Sequence, residues 1–442
     1  MAVSHQYIED FKNLLDPELN IIFNMSPEEA ESAVLSGDPQ QVRAIDGSFA
    51  IVKKKGRTVY MARSIGRPMR YFLAKQASGP LLVVAERIDE IFNYLKDQNL
   101  HGQFHPSYTR MVPAHHLTRL QLVGCPDPSP VYKRYFNPGQ NVLDEDLDAI
   151  GARYIGALAD ECRKWLQAIP EKEPVGVLFS GGVDSGSVFL VLYHLMLEMG
   201  LAPQRLKAFT LSVEGGADAR QAVQFMNHLD LSLFLEIVDI PSEEVDYKKA
   251  IGIMEDYKSL DVEAATMTEA LCRSIRKRYP GWKYLATGDG GDENMKGYPI
   301  EENPELTIRS VLNNQMLYHE GWGVDKIKHS LTYSGGLSRG HMRTYAPIRH
   351  YGFRAFSPYT LANIIEVSEG IPFIKLTDWN HEALYGLKGE IVQRGVKAVT
   401  GMDMPAFPKR RLQHGAAPKD KAAELFADDE MEYRRYFSSL YG

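Results

Sequence analysis

Apolar residues at Leu147, Ile150, Tyr154, Leu158, Cys162 and Trp165 recur every three to four positions, the spacing of a helix with one buried face. Beyond Trp165 the pattern changes. "VGVLF" is followed by a helix predicted from Gly186, "LKAFTLSV" by "ADARQAVQFMNHL", and "LFLEIVDI" by a longer helical stretch; "EALCRSIRKRY" then leads into "KYLATG". Short apolar strands of this kind suit positions covered on both faces, and their alternation with helices predicts an α/β domain built on a parallel sheet. From about Asn294 the pattern predicts mainly helix with long connections. The beginning of the chain reads differently. "FAIVKKKGRTVYMAR" is two β-rich runs around a Lys-Lys-Lys-Gly turn, a hairpin signal, while "GPLLVVAE" predicts a strand and "RIDEIFNYLKDQ" a short amphipathic helix. Pro128 to Asn141 is rich in proline and turn formers and predicts a linker. Two domains are therefore expected, 1–138 and 139–442, with neither internal repeat nor low-complexity tract.

Composition narrows the function. Across 442 residues the apolar content is 44%, the charged content 24% and the net charge −7. That balance offers no general attraction to nucleic acid or to an anionic membrane, so the expected partners are small molecules, with a homodimer compatible. Cys125, Cys162 and Cys272 lie far apart with no CxxC, which argues against a disulfide framework or a cysteine zinc site and for a reducing compartment. The first residues show no basic region followed by an apolar core, and the longest apolar stretch, Ser187 to Leu201, is broken by His194 and Glu198. A cytoplasmic protein is the expectation.

Three motifs carry chemistry. The first is "SGGVDS", Ser180 to Ser185, between the strand "VGVLF" and the helix that follows. Ligands of open α/β sheets bind beyond the carboxyl ends of strands. There the glycines let the backbone approach a ligand, and the following helix offers free N–H groups. Ser180 and Ser185 add hydroxyl donors, and Asp184 suits a site where a divalent cation separates it from phosphate. A plain turn explains a lone Gly-Gly, but explains the full hexapeptide at such a junction much less well. The second is "YLATGDGGDENMKGYP", which sets Asp289, Asp292 and Glu293 within five residues after a strand. Such crowding calls for a cation or solvent, and Asp184 with Asp292 could share Mg²⁺. The third is "FPKRRLQHG". A Lys-Arg-Arg run is commonly a solvated face, yet departing pyrophosphate needs a cation, and Lys409 is the candidate.

Together these residues resemble the asparagine synthetase family, which includes β-lactam synthetases and lasso-peptide cyclases. SGGVDS is similar to the family's SGGxDS pyrophosphatase loop, and TGDGGDE followed by KGY to its SGEGADE followed by GGY. Phe353 to Pro372 resembles its R-x-PFLD segment, and Lys409 precedes Gly415 with the spacing of its catalytic lysine and glycine. The blocks cover most of Glu173 to Gly415. The resemblance implies a PP-loop, HUP-like (adenine-nucleotide alpha-hydrolase) parallel sheet with a helical C-terminal part. It also implies a reaction: ATP and a substrate carboxylate give an acyl-adenylate and pyrophosphate, and an amine then forms an amide and releases AMP. ATP and Mg²⁺ are the implied cofactors. Gly181, Gly182, Ser180 and Ser185 would bind pyrophosphate, Asp184 and Asp292 the metal, and Phe179, Leu211, Thr287 and Gly288 would flank adenine. Lys409 would stabilise charge in both steps.

Upstream, "IDGSFAIV", "VYMARSIGRPMRYF" and "LLVVAERIDEIFNYL" resemble the second half of the family's N-terminal glutaminase domain, a truncated Ntn-like α+β fold. A glutaminase of this type needs an N-terminal cysteine. Here the chain opens Met1-Ala2-Val3, its first cysteine is Cys125, and Ser64 replaces the aspartate of the family's "aRD". Glutamine hydrolysis is therefore expected to be absent. At Asp289 the asparagine synthetases carry glutamate and the β-lactam synthetases tyrosine, so aspartate suits a base or amine-binding group and leaves both chemistries open. Tyr345 and Tyr351 are further candidates for proton removal, though a structural role is the stronger expectation for each, tyrosine being frequent in this chain. The leading expectation is a β-lactam-synthetase-like amide ligase. An ammonia-dependent asparagine-synthetase-like enzyme is the alternative, and a non-catalytic nucleotide-binding scaffold comes after it.

Overall fold

The computed structural model describes residues 7–121, 130–302, 306–321, 336–407, 415–418, 421, 424–427 and 429–442. They form two compact units. One comprises the described residues within Met1–Asn137, His319–Arg339 and Tyr441; the other those within Pro138–Tyr318, Gly340–Leu440 and Gly442.

The first unit is an α+β sandwich. One sheet joins Asp10–Asn13, Gly79–Ala85, Arg70–Gln76 and Arg110–Met111; the other joins Val131–Arg134, His116–Leu120, Thr58–Arg63 and Ala50–Lys55. Alternation along Gly79–Ala85 shows how the layers arise. Leu82 and Val84 point into a core shared with Val52, Val59 and Met61 of the second sheet, whereas Leu81, Val83 and Ala85 pack on Ile91 and Leu95. Those two side chains belong to the Ile88–Asp97 helix, so the period-two pattern serves two cores at once. The expected hairpin pairs Ala50 with Arg63 through Lys55 with Thr58. The Pro128 to Asn141 stretch is not all linker: Val131–Arg134 is an edge strand, antiparallel to His116–Leu120. Alternate apolar positions are absent there, which hides the strand from pattern reading.

The second unit is built on a five-stranded sheet, parallel throughout, in the order Leu235–Ile240, Leu206–Val213, Val175–Leu178, Tyr284–Ala286, Arg354–Phe356. The first strand in sequence is central and the chain winds outward to either side. Its order reverses between Val175–Leu178 and Tyr284–Ala286, and such a switch point opens a crevice at the carboxyl ends of the two strands. SGGVDS and TGDGGDE follow those ends. Arg354–Phe356 lies where helix was expected. Three residues are too few to show a period, and the register Tyr284 to Arg354 through Ala286 to Phe356 makes them a strand.

The amphipathic helix runs Leu147–Ala168 and buries the stripe Ile150, Tyr154, Leu158, Cys162 and Trp165. It crosses His381–Thr400 at two glycines: a Cβ on Gly395 would stand 2.2 Å from the Gly151 carbonyl oxygen. That contact sets the height of His381–Thr400 beside the sheet. No helix among the described residues is long and apolar enough to cross a membrane.

Candidate active site

The helix after SGGVDS starts at Val183, inside the motif and three residues ahead of the expected Gly186. Gly182 is its N-cap and supplies no side chain, while Asp184 and Ser185 occupy the first turn. Gly181 has φ +71°, a left-handed conformation that favours glycine, and a Cβ there would press on the Gln221–Ala222 backbone at 2.9–3.1 Å. Ser180 and Ser185 brace the turn: the Ser180 N–H donates to Ser185 Oγ at 3.2 Å, and the Gly182 N–H to Ser180 Oγ at 3.3 Å. The result is a helix N-terminus fronted by two hydroxyls, an anion-binding arrangement.

The second loop is interlocked with the first. A Cβ on Gly288 would lie 2.7 Å from the Ser185 amide nitrogen, and one on Gly291 would lie 2.3 Å from Asp184 Oδ1. Gly290 adopts φ +101° and has no room for a Cβ against the Tyr359 backbone. Close approach explains the glycines of TGDGGDE: any side chain at 288 or 291 would push the loops apart. Beneath them lies a polar scaffold. The Ser187 hydroxyl meets the Tyr359 hydroxyl at 2.6 Å, Tyr359 stacks on Tyr154, and Asn294 Nδ2 donates to the Tyr154 hydroxyl and the Tyr359 carbonyl. Thr287 Oγ1 lies 2.9 Å from Ser357 Oγ.

Asp184 and Asp292, expected to share Mg²⁺, converge in this structure on an ammonium group. Lys388 Nζ donates to Asp184 Oδ2 and to Asp292 Oδ1, both at 2.5 Å. Burial alone would lower the Lys388 pKa, but the two carboxylates outweigh it and hold the group well above the ordinary lysine value. Lys388 projects from His381–Thr400, where it interrupts the apolar stripe of Leu384, Leu387 and Ile391. Sequence reading missed it, although a lysine on a core-facing helical position is a visible signal. Among the described residues no cluster of three or more metal-ligating side chains exists. The pair nonetheless fits Mg²⁺, which is bound through one or two carboxylates with substrate phosphates completing the shell.

Beyond the pair lies a buried acid cluster. Burial pushes the Asp289 carboxyl above the usual carboxylate range, against the opposing pull of Arg343. Its Oδ2 accepts no hydrogen bond from the described residues and stands 3.9 Å from His341 Nδ1. Burial likewise raises Glu293. Arg343 lies 3.7 Å from Asp261, 3.9 Å from Glu293 and 3.3 Å from the Tyr298 hydroxyl. His341 and Arg343 were also missed, because nothing local in "GHMRTY" points across the fold to residue 289. Tyr345 packs on the His341 ring, while Tyr351 donates to Glu269 in a separate network.

The adenine-side expectations divide. Phe179, Leu211, Thr287 and Gly288 all sit at carboxyl ends of sheet strands, yet the first two are core residues. Phe179 packs edge-on against Phe189 and Phe225, and Leu211 joins the cluster with Val238 and Met267. Their side chains are committed to these cores. Lys409 lies outside the described residues. The described segments flanking it are anchored at the site's rim: Met404 accepts from Gln393 and approaches Gly186, and Gly415 packs on Asp218 so tightly that a Cβ would overlap its carboxylate.

A helix N-terminus with two hydroxyls and paired aspartates at the switch point of a parallel sheet is the arrangement of an α/β domain of pyrophosphatase-loop type. Residues 167–352 match the family model described as asparagine synthase. Through this segment the chain is similar to the asparagine synthetase family. It is 27% identical over 202 residues to asparagine synthetase [glutamine-hydrolyzing] 2 of Lotus japonicus, covering 45% of this chain and 31% of the relative. It is 27% identical over 154 residues to asparagine synthetase B of Escherichia coli K12 (31% and 27%), and 29% over 135 residues to amidase chry2 of Gibberella zeae (28% and 20%). The chain thus matches a third or less of the length of these relatives.

Proposed function

We propose that this chain is an ATP-dependent, AMP-forming amide ligase. The observation that carries the reading is the convergence of Asp184 and Asp292 on one cation beside the serine-flanked helix N-terminus. In this reading, the amides of Gly181 and Gly182 and the hydroxyls of Ser180 and Ser185 hold the β- and γ-phosphates and later the departing pyrophosphate. Asp184 and Asp292 would hold Mg²⁺, which when bound neutralises the triphosphate. The substrate carboxylate attacks the α-phosphorus, and an amine then attacks the acyl carbon. Lys409 stabilises the charge that develops in both steps. Asp289 is poised to bind the amine and take its proton: its raised pKa makes it a stronger base than an exposed aspartate, and Oδ2 is available to accept.

The amine is proposed to come from a small molecule, intramolecularly as in β-lactam synthetases or from a second substrate. In support, Cys125 is the single cysteine in residues 1–137. Ser64, which stands where the glutaminase pattern has aspartate, is buried and accepts from the Phe49 N–H at 2.9 Å, a structural task. A second reading is ammonia-dependent amidation of aspartate: the names of the relatives give asparagine synthesis, though with glutamine hydrolysis as its nitrogen source. The test is incubation with ATP, Mg²⁺ and a panel of amino acids. AMP and pyrophosphate, with ¹⁸O passing from the carboxylate to AMP, support the reading; ADP and phosphate overturn it. Ammonium-dependent AMP release with aspartate alone selects the second reading.

A further inference from the structure

Lys388 raises a question of charge that the proposed reaction leaves unanswered. The Asp184–Asp292 pair belongs to two different strand-end loops, and Lys388 to a third element, the His381–Thr400 helix. Two charge-assisted hydrogen bonds of 2.5 Å tie the loops together through one nitrogen. The three side chains are largely shielded, at 11%, 21% and 23% exposure for Lys388, Asp184 and Asp292. Two carboxylates and one ammonium sum to −1. Adding a divalent ion alone gives +1 in a shielded site and strips the ammonium of both acceptors, so it is opposed. Adding the ion with a triphosphate reverses the balance, because phosphate oxygens then accept from the displaced ammonium.

The geometry allows this displacement. Lys388 has its backbone fixed in mid-helix and a flexible four-carbon stem. Gly297 faces that stem, and a Cβ there would stand 3.3 Å from Lys388 Cδ and 2.9 Å from Asp292 Oδ1. Glycine keeps the space open.

We propose that Lys388 is an exchangeable cation. In the nucleotide-free protein its ammonium occupies the position between Asp184 and Asp292, excluding free divalent metal. On arrival of the metal–triphosphate complex it turns from the carboxylates to phosphate. The site is thereby loaded in an order: metal enters with nucleotide and not before it. The inference rests on the nucleotide-site reading, but its decisive measurement needs neither nucleotide nor turnover.

The experiment is a titration of the full chain with Mn²⁺, followed by electron paramagnetic resonance, with and without α,β-methylene ATP. The wild-type protein should bind Mn²⁺ weakly alone and tightly with the analogue. Lys388→Met should bind one Mn²⁺ about tenfold tighter or more without nucleotide, and Asp292→Asn added to it should abolish the gain. Lys388→Arg, which keeps the charge, should remain as weak as wild type. Tight binding of Mn²⁺ by the wild-type protein alone overturns the proposal, whatever the variants do. So does a Lys388→Met protein that melts like wild type yet binds no tighter. Failure of the analogue to bind would count against the nucleotide reading and leave the Mn²⁺ comparison decisive for Lys388.

Discussion

Glu320 and Asp289 are both buried carboxylates, one in each unit, and their surroundings treat them in opposite ways. Burial by itself would raise the Glu320 pKa, but His115 at 3.1 Å and a two-pronged contact from Arg134 at 2.8 Å overcome it and bring the group down to about 2. Asp289 meets only distant cations, and burial leaves it raised. The same contrast recurs nearby. In the first unit Glu86 is paired with Arg67 at 2.8 Å, whereas Glu293 in the second faces Arg343 only at 3.9 Å and is raised. Glu320 and Glu86 are closely paired, whereas Asp289 and Glu293 stand raised near the end of a sheet. Raised carboxylates beside a phosphate-type loop are what proton transfer requires.

The contrast can be broken from either side. Glu320→Gln removes the carboxylate charge held by His115 and Arg134 in a buried pair, so chemical denaturation should show a loss of about 3–5 kcal/mol. The acid limb of a stability profile sharpens this. A lowered folded-state pKa gives stability that is present above the unfolded value and lost as pH falls from about 4 toward about 2. The wild type should weaken over that interval, and the Glu320→Gln protein should weaken less. Asp184→Asn should lower pyrophosphate release about a hundredfold or more and, through the weakened bond to Lys388, cost about 1.5–3 kcal/mol in denaturation; an unimpaired rate would remove Asp184 from the site.

Asp289→Asn should act in the opposite sense to Glu320→Gln. Its folded-state pKa lies above the unfolded one, so the folded chain retains a proton that the unfolded chain releases and loses stability as pH climbs from about 4. The variant should therefore gain on wild type in melting temperature at pH 8 relative to pH 4; a pH-independent difference would show that Asp289 is an ordinary polar residue. The smallest effect is expected at Tyr359→Phe. Losing the 2.6 Å contact with Ser187 should cost about 1 kcal/mol in denaturation, with a modest change in activity because the scaffold under the loops is otherwise intact.

Much of the second unit was legible from local pattern. Period and turn chemistry placed four of the five strands of the sheet, the amphipathic Leu147–Ala168 helix and both strand-end loops, because each is encoded within a few consecutive residues. The phosphate and metal expectations for Ser180, Gly182, Asp184 and Asp292 also came from loop chemistry, and the resemblance added the role of Lys409 in both steps and the order of the reaction. The edge strands Val131–Arg134 and Arg354–Phe356 escaped, since a strand that short has no period and exists only through its partner. The start of the helix at Val183 escaped by the same logic: the N-cap is a matter of backbone angles at Gly182, and glycine accepts several.

What the sequence determined by itself, then, is the phosphate-type loop, the acidic loop and the parallel order of their strands, all products of short-range pattern. Which cation stands between Asp184 and Asp292 is not of that kind. Lys388 is 204 residues from Asp184 and 96 from Asp292, on a helix whose position depends on a glycine crossing with Leu147–Ala168. The same holds for His341 opposite Asp289. A charge's meaning at a site is set by its distance from other charges, and only the folded chain fixes those distances.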